Sequence, residues 1–286
     1  MSDLRRFHNP VLFNEWKMRM RTNRSPWIIL LYLLVLGAMT LTIIFFMTNG
    51  GSYYNPNDTR ELFMMLSVFQ LGMIGFVVPG LTAGVISGER ERQTLSVLLT
   101  TNVSATRLIL GKWLASLSFM TFLVIATIPL YAIVFLYGGI SPAQVIKVFG
   151  FYVITMFGIG SIGVLMSTLI KRTGISTVVT YAVVFGSAIG SSILAEIIKE
   201  FIRYQRRSGS VPSATMPDWP NLIHNFNPLF AMLNIFEEGP QIRIGNVDPY
   251  AVYCLFFGTI TLFCLFLSIY LIQPVKPRFR KVKEEQ

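Results

Sequence analysis

Long apolar runs separated by short charged blocks dominate the chain. Residues 27 to 47, WIILLYLLVLGAMTLTIIFFM, carry no charge, and a helix of that length rises about 31 Å, the thickness of one bilayer core. Five further runs, at about 62–86, 113–137, 148–170, 175–198 and 250–272, are each long enough to cross and nearly free of ionisable side chains. The pattern predicts an all-α integral membrane protein with six transmembrane helices and one membrane domain over residues 27–272. An even number of spans returns both termini to the same side.

The segments between the runs have their own patterns. Residues 9–27, NPVLFNEWKMRMRTNRSPW, mix Val11, Leu12, Phe13, Trp16, Met18 and Met20 with Lys and Arg. That suits an N-terminal interfacial helix over residues 1–26, lying against anionic lipid and broken from the first span by Pro26. The first run is too long for a signal-peptide core and lacks a small-residue cleavage site, so it is expected to be a retained anchor. Residues 199–249 form the one sizeable non-spanning stretch, and their centre, RRSGSVPSATMPDWPN, has the composition of an irregular loop. The apolar LIHNFNPLFAMLNIF that follows, residues 222–236, is too short to span and is interrupted by Pro228. It suits a re-entrant or interfacial helix pair, or a plain amphipathic surface helix. A basic tail fills 273–286.

Charge orients this layout. Hydrophobic residues make up 53% of the chain and charged residues only 13%, far from the roughly 25% charged content of soluble domains. The net charge of +10 is not spread over a polar surface but falls in blocks flanking the runs, which excludes nucleic acid as the natural partner and points to membrane topology. Of the 24 Lys and Arg residues, 17 lie in the N-terminal segment, the 87–112 segment, the 171–174 turn and the tail. These segments share one side, so both termini are expected to be cytoplasmic and 199–249 extracytoplasmic. Cys254 and Cys264 both fall in the last run, where small buried hydrophobes are common, and form no disulfide framework.

The chemistry that is missing narrows the function. Spans one to four and six have no ionisable residue near their centres, which counts against a gradient-driven carrier with midplane carboxylates. Glu196 and Lys199 lie near the end of span five, where they can pair across a turn or snorkel to the interface. His8 and His224 are isolated outside the spans, so no catalytic or metal-ligand cluster is expected. There is no G-x-x-x-x-G-K-[ST] sequence to cradle nucleotide phosphates. The chain is therefore not expected to be an enzyme or to hold a cofactor, and any use of ATP falls to another polypeptide.

Residues 87–101, SGERERQTLSVLLTT, stand out against this background. Glu89, Arg90, Glu91 and Arg92 precede Leu95, Leu98 and Leu99 at helical spacings, giving a helix with one charged end and an apolar face. Interleaved acidic residues make it a poor ligand for anionic headgroups, so protein is the favoured partner. Gly80, Gly84 and Gly88 recur every four residues at the end of span two, and Gly186 and Gly190 form a second such pair in span five, where backbones can approach closely. Pro79 and Pro129 should loosen spans two and three, as hinges or merely as shape.

The stretch GERERQTLSVLLTTNVSATRLILGKWLASL, 88–117, resembles the cytoplasmic segment after the second span of type-2 ABC exporter permeases. Glu89 to Arg92 match that family's acidic-basic box, Thr94 and Leu95 its Thr-Leu pair, Leu98 and Leu99 its leucine run, and Gly111 and Lys112 its Gly-Lys. Asn102 departs from it where proline is common. The opening NPVLFNEWKMRMR is similar to that of one branch of the family. The resemblance implies a coupling helix within 87–106 that docks on a separate cytoplasmic P-loop ATPase subunit, which binds the ATP and Mg. It further implies a second permease chain, with the glycine stripes as packing sites within or between subunits, and a location in the cell membrane. The apolar, aromatic spans suit a hydrophobic or amphipathic cargo. A membrane scaffold that recruits a cytoplasmic partner without transport is the competing function.

Overall fold

The computed structural model describes residues 25–48, 56–95, 104–136, 139–207, 223–236 and 248–273. The expected interfacial helix before residue 25 and the basic tail from 274 lie outside them. Among the described residues, six helical segments are long and apolar enough to cross a membrane. Span one is α1 (Ser25–Thr48), span two α2 (Pro56–Thr82) and span three α4 (Ala105–Ala126) continued by α5 (Ile128–Leu136). Spans four to six are α6 (Pro142–Leu169), α7 (Thr173–Arg207) and α9 (Pro249–Ile272), with a short α3 (Ser87–Glu91) after span two and α8 (Pro228–Ile235) before span six.

Local sequence sets the boundaries. Span four opens on Ser141 and Gln144, whose side chains bond reciprocally to each other's backbone with Pro142 in the first turn, satisfying N–H groups that the helix itself cannot. Ser104 accepts from the Arg107 N–H and starts span three at Ala105, so the helix begins well before the apolar run at 113. Pro129 interrupts span three at Thr127, whose hydroxyl donates to the Val124 carbonyl at 2.7 Å. Span five extends past the predicted end at 198 to Arg207, because Glu196 with Lys199 and Glu200 with Arg203 form pairs three residues apart that sustain the polar turns.

Span four is the hub, packed against spans two, three, five and six and against α8. Two-thirds of its apolar window (67%) is buried, against 17% for span one and 11% for span five, which places those two at the periphery. Glycine lets neighbours reach its axis: an added Cβ at Gly158 would run into the Phe257 ring, one at Gly163 into Thr82, and one at Gly160 would lie 2.8 Å from Leu117. Against span six, Phe151 stacks on Tyr253 with centroids 4.6 Å apart, and the Tyr253 hydroxyl bonds Thr155 at 2.8 Å. With no solvent to drive helices together in lipid, close packing and such bonds supply the cohesion.

The glycines singled out in the sequence divide. Gly80 and Gly84 face span five, where a Cβ would stand 3.1 Å from Tyr181 and 2.9 Å from Thr173. Gly88 is looser, at 3.8 Å from Thr173, and Gly186 and Gly190 meet nothing within 4 Å. Gly163→Ala should therefore lower stability by about 1 to 3 kcal/mol through overpacking, whereas Gly186→Ala should leave it unchanged or slightly raised. Thermal unfolding of the purified protein in detergent checks both.

Candidate functional site

The charged box sits where span two loses its helical register. Pro79 has no N–H, and three residues later α2 ends at Thr82, whose hydroxyl donates to the Val78 carbonyl at 2.8 Å. Residues 83–86 form a turn, with the Val85 N–H directed at the Thr82 carbonyl at 3.2 Å. The N–H groups of Ile86 and Ser87 thereby lose their usual acceptors. Both donate instead to the Ser167 hydroxyl oxygen of span four, each at 2.9 Å. The Ala83 carbonyl, equally stranded, accepts from Ser176 of span five at 2.7 Å and from Ser87 at 3.2 Å. Since Ser87 donates to Ala83, Ser167 is the donor in their 3.2 Å contact. All of these groups are buried, where an unpaired donor or acceptor would be costly.

The helix resumes as α3 and carries the box. It stops at Arg92 and Gln93, the latter in the left-handed region at φ 58°, so the continuous helix expected through Leu99 is broken. A second helical start at Thr94 and Leu95 follows the bend; Leu98 and Leu99 lie outside the described residues. The break has a physical reason, because three of the four charges are bound to other spans.

Glu89 accepts from Lys112 of span three at 2.8 Å and also from the Thr94 hydroxyl. Lys112 is buried and Glu89 partly exposed. Arg90 donates to the Thr168 carbonyl at 3.2 Å, at the end of span four. Glu91 accepts from the Thr173 N–H at 2.9 Å and its hydroxyl at 2.7 Å, at the start of span five. Arg90 and Glu91 thus each meet the helix pole of opposite sign, a cation at a carbonyl end and an anion at an N–H end, while Glu89 is paired with a lysine side chain. Arg92, Gln93 and Thr94 are exposed. Leu95, expected to face a partner, is half-buried against the chain's own core.

Reasoning from the sequence found the box but not its anchors. Ser167, Thr168, Thr173 and Ser176 are small polar residues scattered through two apolar runs, and none carries a charge to mark it. Their density around the 171–174 turn was the available signal.

At the opposite end of the bundle, residues 223–236 pack against spans two, four and six, with Ala231, Met232 and Phe236 buried. Asn227 caps α8 by accepting from the Leu229 N–H and donates to the Ala188 carbonyl at 2.6 Å and Ser192 at 2.7 Å, tying α8 to span five. His224, buried, places Nε2 at 2.8 Å from the Lys199 ammonium and 3.2 Å from the Glu196 carboxylate. Below this turn lies an apolar cavity of about 490 Å³ lined by residues including Gly72, Gly75, Ile159, Phe185, Asn227 and Phe257.

These elements define a multi-pass helical membrane protein in which the charged segment after span two is bonded to three other spans. Over residues 10–272 the chain matches the ABC-2 family transporter protein, and it belongs to that family. It is accordingly the permease subunit of an ABC transporter, a multi-pass protein of the cell membrane, and membership implies association with an ATP-binding cassette subunit. No curated protein matches the chain.

Two outcomes follow. Ser167→Ala strands the Ile86 and Ser87 N–H groups together and should lower stability by about 1 to 3 kcal/mol, measured by unfolding against Ser191→Ala as a control on span five. Burial, and secondarily the Lys199 charge, push the His224 pKa down from its ordinary value. A depressed imidazole contributes stability that is complete above about pH 6.5 and lost as the pH falls through the lower folded value. Melting should therefore weaken on acidification in the native protein and less so in His224→Gln.

Proposed function

We propose that the chain is the permease half of an ATP-driven exporter. It works as a dimer, same or different, whose two permeases form the translocation path, and ATP and Mg are held by the partner ATPase subunits. In this arrangement the termini and the box face the cytoplasm, and residues 87–106 are the contact with the ATPase. The observation that carries the reading is the set of bonds from Glu89, Arg90 and Glu91 to spans three, four and five. A force applied to this segment reaches three spans at once, which is what a coupling element requires. The exposed Arg92, Gln93 and Thr94 supply polar contact at its tip, where charges contribute more to specificity than to affinity. Leu98 and Leu99 supply the apolar contact. The apolar cavity beneath residues 226–229 supports a hydrophobic or amphipathic cargo.

The test separates docking from transmission. Tagged chain is recovered from native membranes and assayed for a copurifying ATPase and for its stimulation. Arg92→Glu combined with Leu98→Ala should lower the recovered ATPase subunit about tenfold or more, the loss of roughly one or two buried contacts. Ser167→Ala should keep the subunit bound but uncouple hydrolysis from transport. Recovery of no ATPase with the unaltered chain sinks the proposal, and loss of a partner without any change in export favours the scaffold.

A further inference from the structure

Eight buried side-chain polar atoms among the described residues have no hydrogen-bond partner, and four of them sit together: the Tyr32 hydroxyl, the Ser67 hydroxyl and both ends of the Gln70 amide. Tyr32 interacts with Gln70 and Tyr131, and Ser67 with Tyr131 and Tyr152, but none of these contacts reaches hydrogen-bond geometry at the Tyr32 hydroxyl, the Ser67 hydroxyl or the Gln70 amide. The group therefore joins spans one to four. Ser67, Gln70 and Tyr152 are 0% exposed and Tyr32 and Tyr131 only 3%. Tyr152 stands fifteen residues along span four from Ser167, about 22 Å at helical rise, which puts the cluster well within the hydrocarbon layer.

The two remaining hydroxyls fix their own roles. Tyr152 donates to the Ser67 carbonyl at 2.9 Å, so Tyr131 is the donor in the 2.9 Å contact between the two tyrosines. This chain leaves the Ser67 hydroxyl and the Gln70 amide unused. No lipid atom can satisfy them, and the group contains no Asp, Glu, Lys, Arg or His. What is presented is two hydroxyls, one amide carbonyl and one amide N–H₂, a mixed set of donors and acceptors without charge.

We propose that Tyr32, Ser67 and Gln70 bind internal water at membrane depth, as a permanent polar site between spans one and four. Water needs two to four polar partners, which this set supplies, and it both donates and accepts, as the unused groups demand. An ion would find no counter-charge here. Tyr131, which contacts Ser67, also lines an open apolar groove of about 320 Å³ with Ile128, Val145 and Phe149, and this groove is the route of exchange.

Hydroxyl-radical footprinting of the full-length protein in nanodiscs, read by mass spectrometry, tests this with water itself as the probe, because radicals formed on bound water oxidise the adjacent side chain. Tyr253 is the internal control: it is equally buried, but its hydroxyl is bonded to Thr155. Tyr32 should be oxidised about fivefold faster than Tyr253, as ordered water in contact predicts. In Gln70→Leu with Ser67→Ala its rate should fall to that of Tyr253. Equal rates for the two tyrosines in the native protein overturn the proposal without any variant, and fast oxidation that persists in the double variant overturns the assignment to these residues.

Discussion

A broken helix near the edge of a hydrocarbon layer must have its backbone groups paired by something other than water. Span two breaks at residues 83–86, and most of what is distinctive at that end of the molecule answers this one requirement. A single hydroxyl, Ser167, accepts two backbone N–H groups, and another, Ser176, covers the stranded Ala83 carbonyl. Because those hydroxyls belong to spans four and five, the repair of one helix is at the same time a joint between three. The box extends the joint. Arg90 and Glu91 meet the poles of neighbouring helices and Glu89 a lysine of span three, so the charged segment is held from within.

Span four makes the joint firm. Its glycines admit Thr82, Leu117 and Phe257 to its axis, and a side chain at these positions would hold the neighbouring spans apart. Spans one and five, by contrast, expose most of their apolar surface, including Trp27, Leu31, Val178 and Phe201. In a bilayer that exposure has no cost, since lipid is as apolar as leucine. The molecule thus pairs a tightly packed centre with a periphery free to meet lipid or another chain.

Much of this fold was legible because lipid simplifies the code. Six runs almost free of charge translate directly into six helices, and Pro129 and the Ser141 to Gln144 box mark a break and a start by residue type alone. The interior of the site was less so. Alternation of Glu and Arg at 89–92 announces an unusual segment, but nothing in it distinguishes a surface that faces a partner from one bonded inward. Glu91 depends on a threonine in a different run, and Glu89 on a lysine beyond a bend created at Gln93. The intramembrane polar cluster escaped for a related reason: a search for charges at membrane depth passes over Gln70 and the tyrosines, whose importance arises only when four helices bring them together. Glycine spacing was also a partial guide, since Gly158, Gly160 and Gly163 follow no four-residue repeat, yet they sit on the most crowded helix.

The bond between Glu91 and Thr173 has a consequence for how the chain is built. The first turn of span five is capped by a carboxylate 82 positions earlier in the chain, so that helix does not carry its own starting signal. During synthesis the carboxylate is made long before the helix that needs it. Span two must already be in place, with its bent end at the membrane face, when residue 173 emerges. The order in which the chain is threaded into the bilayer is therefore written into this bond: span five finds its first turn completed by a residue that follows span two.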